Sequence, residues 1–157
     1  MEEERRKSFA QITLYNQLVK EMDDLYRVYA KNCNLSETAF WILYCIRERK
    51  EAFTQREICE YWFYTPQTVN SALKNMTEEG LLLLRAEEGN RKNKRIYLTE
   101  KGKEIVEKIV DPLMDAESRA LAALGEQESE VFLQTMKKHA ELLRGEVAKL
   151  TGRENPA

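Results

Sequence analysis

Apolar residues recur at helical spacing along most of the chain. Phe9, Ile12, Tyr15, Leu18, Met22, Leu25, Tyr26 and Tyr29 trace one stripe over the N-terminal segment, a pattern that predicts a long amphipathic helix. Ser36 caps the next. Thr54 and Glu57 form a T-x-x-E capping box that opens a short helix, and Thr65 followed by Pro66 supplies an N-cap and a preset first residue for another. Val69, Leu73 and Met76 face inward along that second helix, and Gly80 closes it. The runs Leu81 to Arg85 and Lys94 to Leu98 then read as two short strands joined through a Gly89-Asn90 turn. Thr99 caps a helix through Ile105, Val106, Ile109 and Val110, which Pro112 is expected to kink or break, and Glu126 to Leu150 form the last one. Two capped helices followed by a hairpin predict a winged helix-turn-helix: a mainly α fold with a small β-wing.

The pattern also predicts more helix than a winged lobe needs. Residues 35–102 carry the lobe, while residues 1–34 and 103–157 carry apolar stripes with few partners inside so small a core. In the last helix that stripe is Val131, Phe132 or Leu133, Met136, Leu142, Leu143 and Val147. The whole chain is therefore read as one winged-helix domain whose terminal helices pack on a second copy, with a symmetric homodimer as the economical arrangement.

Candidate chemistry gathers on the helix from Pro66 to Glu79 and on the hairpin. Gln67, Thr68, Asn70, Ser71, Lys74 and Asn75 occupy the exposed face of that helix, with Thr65 at its head. Amides can bond adenine bidentately, hydroxyls meet bases or phosphates, and lysine reaches a guanine edge or a phosphate. An ordinary solvated face would be richer in Glu and Lys, and here the acids Glu78 and Glu79 come only at its far end. The hairpin tip is assigned Arg91, Lys92, Lys94 and Arg95, a set suited to phosphate.

Composition alters this picture only in one respect. The chain has 157 residues with Lys+Arg 25 against Asp+Glu 27, a net charge of −2, which taken alone disfavours a nucleic-acid partner. The acids cluster at the N-terminus and in the last helix, so the field at the hairpin is locally basic, and phosphates respond to that local field. No long uncharged apolar run occurs and the N-terminus MEEERRKSF lacks a signal's apolar stretch. A cytoplasmic protein without a membrane partner is expected.

At these residues the chain resembles the MarR family of bacterial transcriptional regulators. Asn90-Arg91-Lys92 and then Ile96-Tyr97-Leu98-Thr99-Glu100-Lys101-Gly102 are similar to the family's wing and its following L-T-x-x-G helix start, and Leu35-Ser36 with Trp41 and Leu43 is similar to its second helix. The resemblance implies a homodimer that binds double-stranded DNA at a pseudo-palindromic operator, more often as repressor than activator, with terminal helices building the interface. It also implies a small aromatic effector in a crevice that Tyr15, Tyr26, Trp41 and Tyr44 would line, although aromatics at helical spacing more commonly fill a core or interface. Two departures stand out. Asn90 replaces the usual Asp, substituting an amide for the carboxylate that would orient a wing arginine. Phe63 lies near the small or glycine residue of the turn between the two helices, and because a bulky residue disfavours positive φ, this turn is expected to take another route.

Other chemistries find little support. Cys33, Cys45 and Cys59 lack C-x-x-C spacing; for the peroxide sensing that the resemblance implies in one branch of the family, Cys33, in a polar segment between helices, is the one candidate, with an inert thiol the preferred reading, while Cys45 and Cys59 are expected to be buried. His139 is the sole histidine, too few for a zinc sensor. No catalytic motif appears and no cofactor is implied. The competing reading is a dimeric winged-helix module that binds a protein partner and not DNA; neutralising Arg91 and Arg95 would separate the two.

Overall fold

A computed structural model describes residues 2–49, 53–87 and 90–152, apart from the side chains of Glu87, Asn90, Arg91, Lys92 and Asn93. In chain order the elements are α1 (Glu2–Asn32), α2 (Glu37–Glu48), β1 (Phe53–Thr54), α3 (Gln55–Trp62), α4 (Pro66–Glu78), β2 (Leu82–Glu87) and β3 (Asn90–Leu98). They continue with α5 (Glu100–Ile105), a π turn (Val106–Val110), α6 (Asp111–Ala122) and α7 (Glu126–Thr151). The three strands form one antiparallel sheet in the order β1-β3-β2. The fold is the predicted one, mainly helical with a small wing. The predicted strands are present and run further than expected, β2 to Glu87 and β3 from Asn90.

The chain divides into two compact units, Met1–Asp111 and Pro112–Ala157. In the first, Phe40, Ile42 and Leu43 of α2, Ile58 of α3, Val69 and Met76 of α4, and Leu82 and Ile96 of the sheet are buried. Each such side chain contributes about 1.5–3 kcal/mol by leaving water. The caps read from sequence are all made. The Ser36 hydroxyl accepts from Ala39 N at 3.2 Å, and Thr54 and Glu57 complete their reciprocal box, with Thr54 N donating to Glu57 Oε2 at 2.7 Å. In the second unit, α6 and α7 contain no buried residue.

Two local expectations are corrected. Phe63 does adopt the left-handed conformation, with φ 55° and ψ 30°, at the end of α3. Its side chain is 91% exposed, so no neighbour opposes the turn and the intrinsic cost of about 1–2 kcal/mol is all that must be offset. Pro112 does not break the helix. Bonding loosens just before it, where Asp111 N–H reaches back to Val106 O across a π turn, and the helix continues through Pro112 into α6. The Tyr29 hydroxyl donates to Ile109 O within that turn at 2.8 Å, and Arg47 holds Asp111 through bonds of 2.6 and 3.0 Å.

Candidate nucleic-acid interface

The helix that carries the candidate base-reading side chains, α4, is fixed at both ends. At its start the Thr65 hydroxyl accepts from Thr68 N–H at 3.2 Å, and the two threonine hydroxyls lie 2.8 Å apart. Gln55 Nε2, from the first turn of α3, donates to Pro66 O at 3.0 Å and ties the two helices together. At its end Gly80, with φ +73°, turns the chain, and Leu81 N–H returns to Met76 O at 2.8 Å. The Thr99 hydroxyl donates to Gly80 O at 2.7 Å, and Lys101 Nζ reaches Glu79 O at 2.8 Å. Gly102 permits this joint, since a Cβ there would stand 2.2 Å from Leu81 O. Thus the foot of the wing and the end of α4 are bonded together.

Between those fixed ends α4 divides by face. Val69, Ala72, Leu73 and Met76 are buried, while Gln67, Thr68, Asn70, Ser71, Lys74 and Asn75 are all exposed. Asn70 and Lys74 open onto a groove of about 890 Å³ that runs between α4, the first turns of α3 and the wing. Leu73, Leu84 and Ile96 contribute its apolar surface, and Gln55, Arg56, Asn70, Lys74 and Lys94 its polar and basic part. Two acids temper the charge: Glu60 binds Arg56 at 2.7 Å, and Glu78 lies 3.8 Å from Lys74.

Strand register sorts the wing cations. Ala86 pairs with Lys94 and Leu84 with Ile96 on one face, whereas Arg85 pairs with Arg95 and Leu83 with Tyr97 on the other. Lys94 and Arg95 therefore sit within β3 on opposite faces, not together at a tip, because that strand begins earlier than predicted. Lys94 lines the groove. Arg95 is half-buried, opposite Thr54 of β1. The nearby Glu57 carboxyl is held below the usual carboxylate range, first by the Thr54 backbone N–H and to a smaller extent by Arg95. The Gly89 turn and the side chains of Arg91 and Lys92 lie outside the described residues.

Of the sequence candidates, then, the structure brings Asn70, Lys74 and Lys94 to one groove and sets Gln67, Thr68 and Ser71 on the same exposed helix. Thr65 serves first as a cap. Gln55 and Arg56, which also line the groove, escaped the sequence reading, although their position directly after the Thr54 cap places them at a helix start, where an anion is favoured.

The aromatic candidates are also neighbours. Trp41 lies 5.0 Å from Tyr26, 5.2 Å from Tyr44 and 4.3 Å from Trp62, ring centre to ring centre. Trp62 thus joins Tyr26, Trp41 and Tyr44 in one aromatic cluster. Tyr15, half-buried, lies about three turns earlier on α1. Trp62 Nε1 donates to Cys45 Sγ at 2.8 Å, and burial pushes the Cys45 thiol up to about 11. Cys59, expected to be buried, is half-buried on the wall of the groove, and desolvation raises its thiol as well. Cys33 is half-buried too.

Among the described residues no cluster of His, Cys, Asp and Glu is placed to hold a metal, and no helix is long and apolar enough to cross a membrane.

Comparison with known proteins follows the same lines. Residues 34–93 match the model of the MarR family. No curated protein matches the chain. Among solved structures it is similar to NMB1585, a MarR family regulator from Neisseria meningitidis, at a TM-score of 0.76 and 19% identity, over 88% of this chain and 97% of that one. A MarR family transcriptional regulator from Listeria monocytogenes, complexed with 26mer DNA, gives a TM-score of 0.71 at 22% identity over 93% and 97%. The S. aureus MepR-DNA complex gives 0.68 at 20% identity over 83% and 96%. At those identities the structures establish a shared fold, and the family match covers the winged segment. The chain thus has the fold of these winged helix-turn-helix proteins, and its residues 34–93 match the MarR family model.

Proposed function

We propose that the protein is a homodimeric transcriptional regulator that reads a pseudo-palindromic operator in double-stranded DNA through α4 and grips its backbone along the groove beside the wing. One observation carries this reading: the exposed face of α4, rich in amides and hydroxyls and pinned at both ends, borders a groove whose basic groups are Arg56, Lys74 and Lys94. Uncharged hydrogen-bonding side chains distinguish bases, whereas cations spaced around them neutralise phosphates without regard to sequence. That two of the similar structures are DNA complexes supports the same use of the fold.

The dimer rests on the apolar faces outside the winged lobe. Phe9, Ile12, Leu14, Leu18 and Leu25 of α1 are each at least half exposed, and so are Val131, Leu133, Leu142 and Leu143 of α7. Apolar surface so extensive marks an interaction site, and a second copy offers the same surface related by a twofold axis. Repression and response to a small aromatic effector rest on the resemblance to the family.

The reading is tested by selecting preferred duplexes with the wild type and with Gln67→Ala and Asn70→Ala. Truncating either side chain should relax the consensus at the base it reads, by about 1–3 kcal/mol of discrimination. An unaltered consensus from both variants would show that α4 does not read bases.

A further inference from the structure

The face of the wing turned away from the groove carries charge that the proposed DNA interface leaves unused. Arg85 of β2 and Arg95 of β3 stand directly opposite each other on that face, a like-charge pairing that destabilises a sheet. The two arginines are held differently. Arg95 is half-buried opposite Thr54, and the neighbouring Glu57 carboxylate offsets part of its charge. Arg85 is exposed, with its guanidinium over the Tyr97 ring, 5.4 Å from the ring centre. A guanidinium seated on an aromatic face has little freedom left to lose, and its N–H edge stays open in the fork that matches a phosphate. Strand pairing gains nothing from that cation, whereas an anion beside it would relieve the repulsion.

The geometry of the ribbon says where such an anion lies. Lys94 pairs with Ala86, one residue along from the two arginines and on the opposite face, so the wing bears cations on both faces within about 3.3 Å of its length. With α4 in the major groove, the phosphate strand gripped beside Lys94 runs between that helix and the wing. The same strand is one wall of the adjacent minor groove. The wing then lies over the minor groove, and its other face is turned to the second wall, about 6 Å across. An acidic protein partner would call for no such matching of height on the two faces.

We propose that Arg85, positioned by Tyr97, grips a phosphate of the second DNA strand, so that the wing is clasped between the two walls of the minor groove in each half-site. This inference rests on the DNA-reading role proposed for α4 and its groove.

The test uses the full-length protein and the duplex that the wild type selects from a random pool. Arg85→Ala should weaken binding to duplexes of every sequence and lower the slope of log affinity against log salt by about one. Its thermal midpoint should stay close to that of the wild type, because the lost ring contact and the lost repulsion oppose each other. Replacing single phosphates by neutral methylphosphonates locates the contact. In the wild type, sensitive positions on the two strands should face each other across the minor groove beside each half-site; Lys94→Ala should become indifferent to one and Arg85→Ala to the other. Tyr97→Leu, which keeps the charge and removes the ring, should lose affinity a few-fold with its salt slope unchanged; wild-type affinity in that variant overturns the part given to the ring. An Arg85→Ala protein whose slope and methylphosphonate map match those of the wild type overturns the inference and leaves the role of α4 standing. So does a slope that falls while no position on the map is lost, as a charge acting at a distance would produce. A wild type that selects no duplex overturns both.

Discussion

The winged lobe and the C-terminal helices are built on opposite terms. Apart from Ala30, every buried apolar residue among the described residues lies between Ala39 and Val110, whereas α6 and α7 bury none. The lobe has a core of its own, closed by caps and by the joint at Gly102. The C-terminal unit carries apolar side chains of similar size and leaves them in water. Amphipathic periodicity alone does not distinguish the two cases; the supply of partners does. One region is folded by the chain itself, and the other has an apolar face that the single chain leaves exposed.

Substitutions can break that contrast, and the largest effect belongs to the lobe. Phe40→Ala, which empties a fully buried site at the centre of α2, should cost about 3–5 kcal/mol. Denaturant titrations at several protein concentrations should give the same destabilisation, since the defect is internal.

The counterpart is Leu143→Glu on α7, where the native leucine is 50% exposed in the single chain. A charge there costs little if the face stays wet and a great deal if a partner covers it. Sedimentation should show at least a tenfold weaker dimer, with little change in the stability of the lobe. Unchanged association would mean that this face is not an interface.

Smaller effects sharpen the division of labour inside the groove. Lys94→Ala should weaken binding to all duplexes alike and reduce the slope of log affinity against log salt by about one. Arg95→Ala, on the opposite face of the strand, should change that slope less. Glu78→Gln, which removes the acid beside Lys74, should tighten binding a few-fold at low salt and hardly at all at high salt, since the interaction is screened.

The smallest effect concerns the capping box. Glu57 has a carboxyl pKa below its ordinary value in the folded protein, so its contribution to stability is complete above the unfolded value of about 4.3 and is lost as pH falls through the lower folded value. Thermal melts should show Glu57→Gln less stable than wild type near neutrality and the gap closing toward acid pH. A gap that widens on acidification would contradict the assignment.

Which parts of this architecture could be read from sequence follows from the range of the interactions involved. The caps at Ser36, Thr54, Thr65 and Thr99 depend on residues three apart, and every one is made as read. The inward face of α4 is equally local. The route through Phe63 differs from expectation because propensity disfavours a positive φ there, while the short connection between two fixed helices demands it. Pro112 differs for a related reason, since a π turn upstream accommodates the ring and propensity scales contain no such term. Lys94 and Arg95 form a single cluster in sequence, and only register, fixed by a partner strand, places them on opposite faces. Gln55 lines the groove and is tied to α4 by its bond to Pro66, an interaction between helices that spacing does not reveal.

The most direct test of the central claim is selection of bound duplexes from a random DNA pool by the purified full-length protein, followed by sequencing. The account predicts an enriched inverted repeat, with half-sites about 10 base pairs or a multiple apart, as two copies of α4 related by a twofold axis require. An enriched pool with no repeat, or no enrichment above the starting pool, would contradict it.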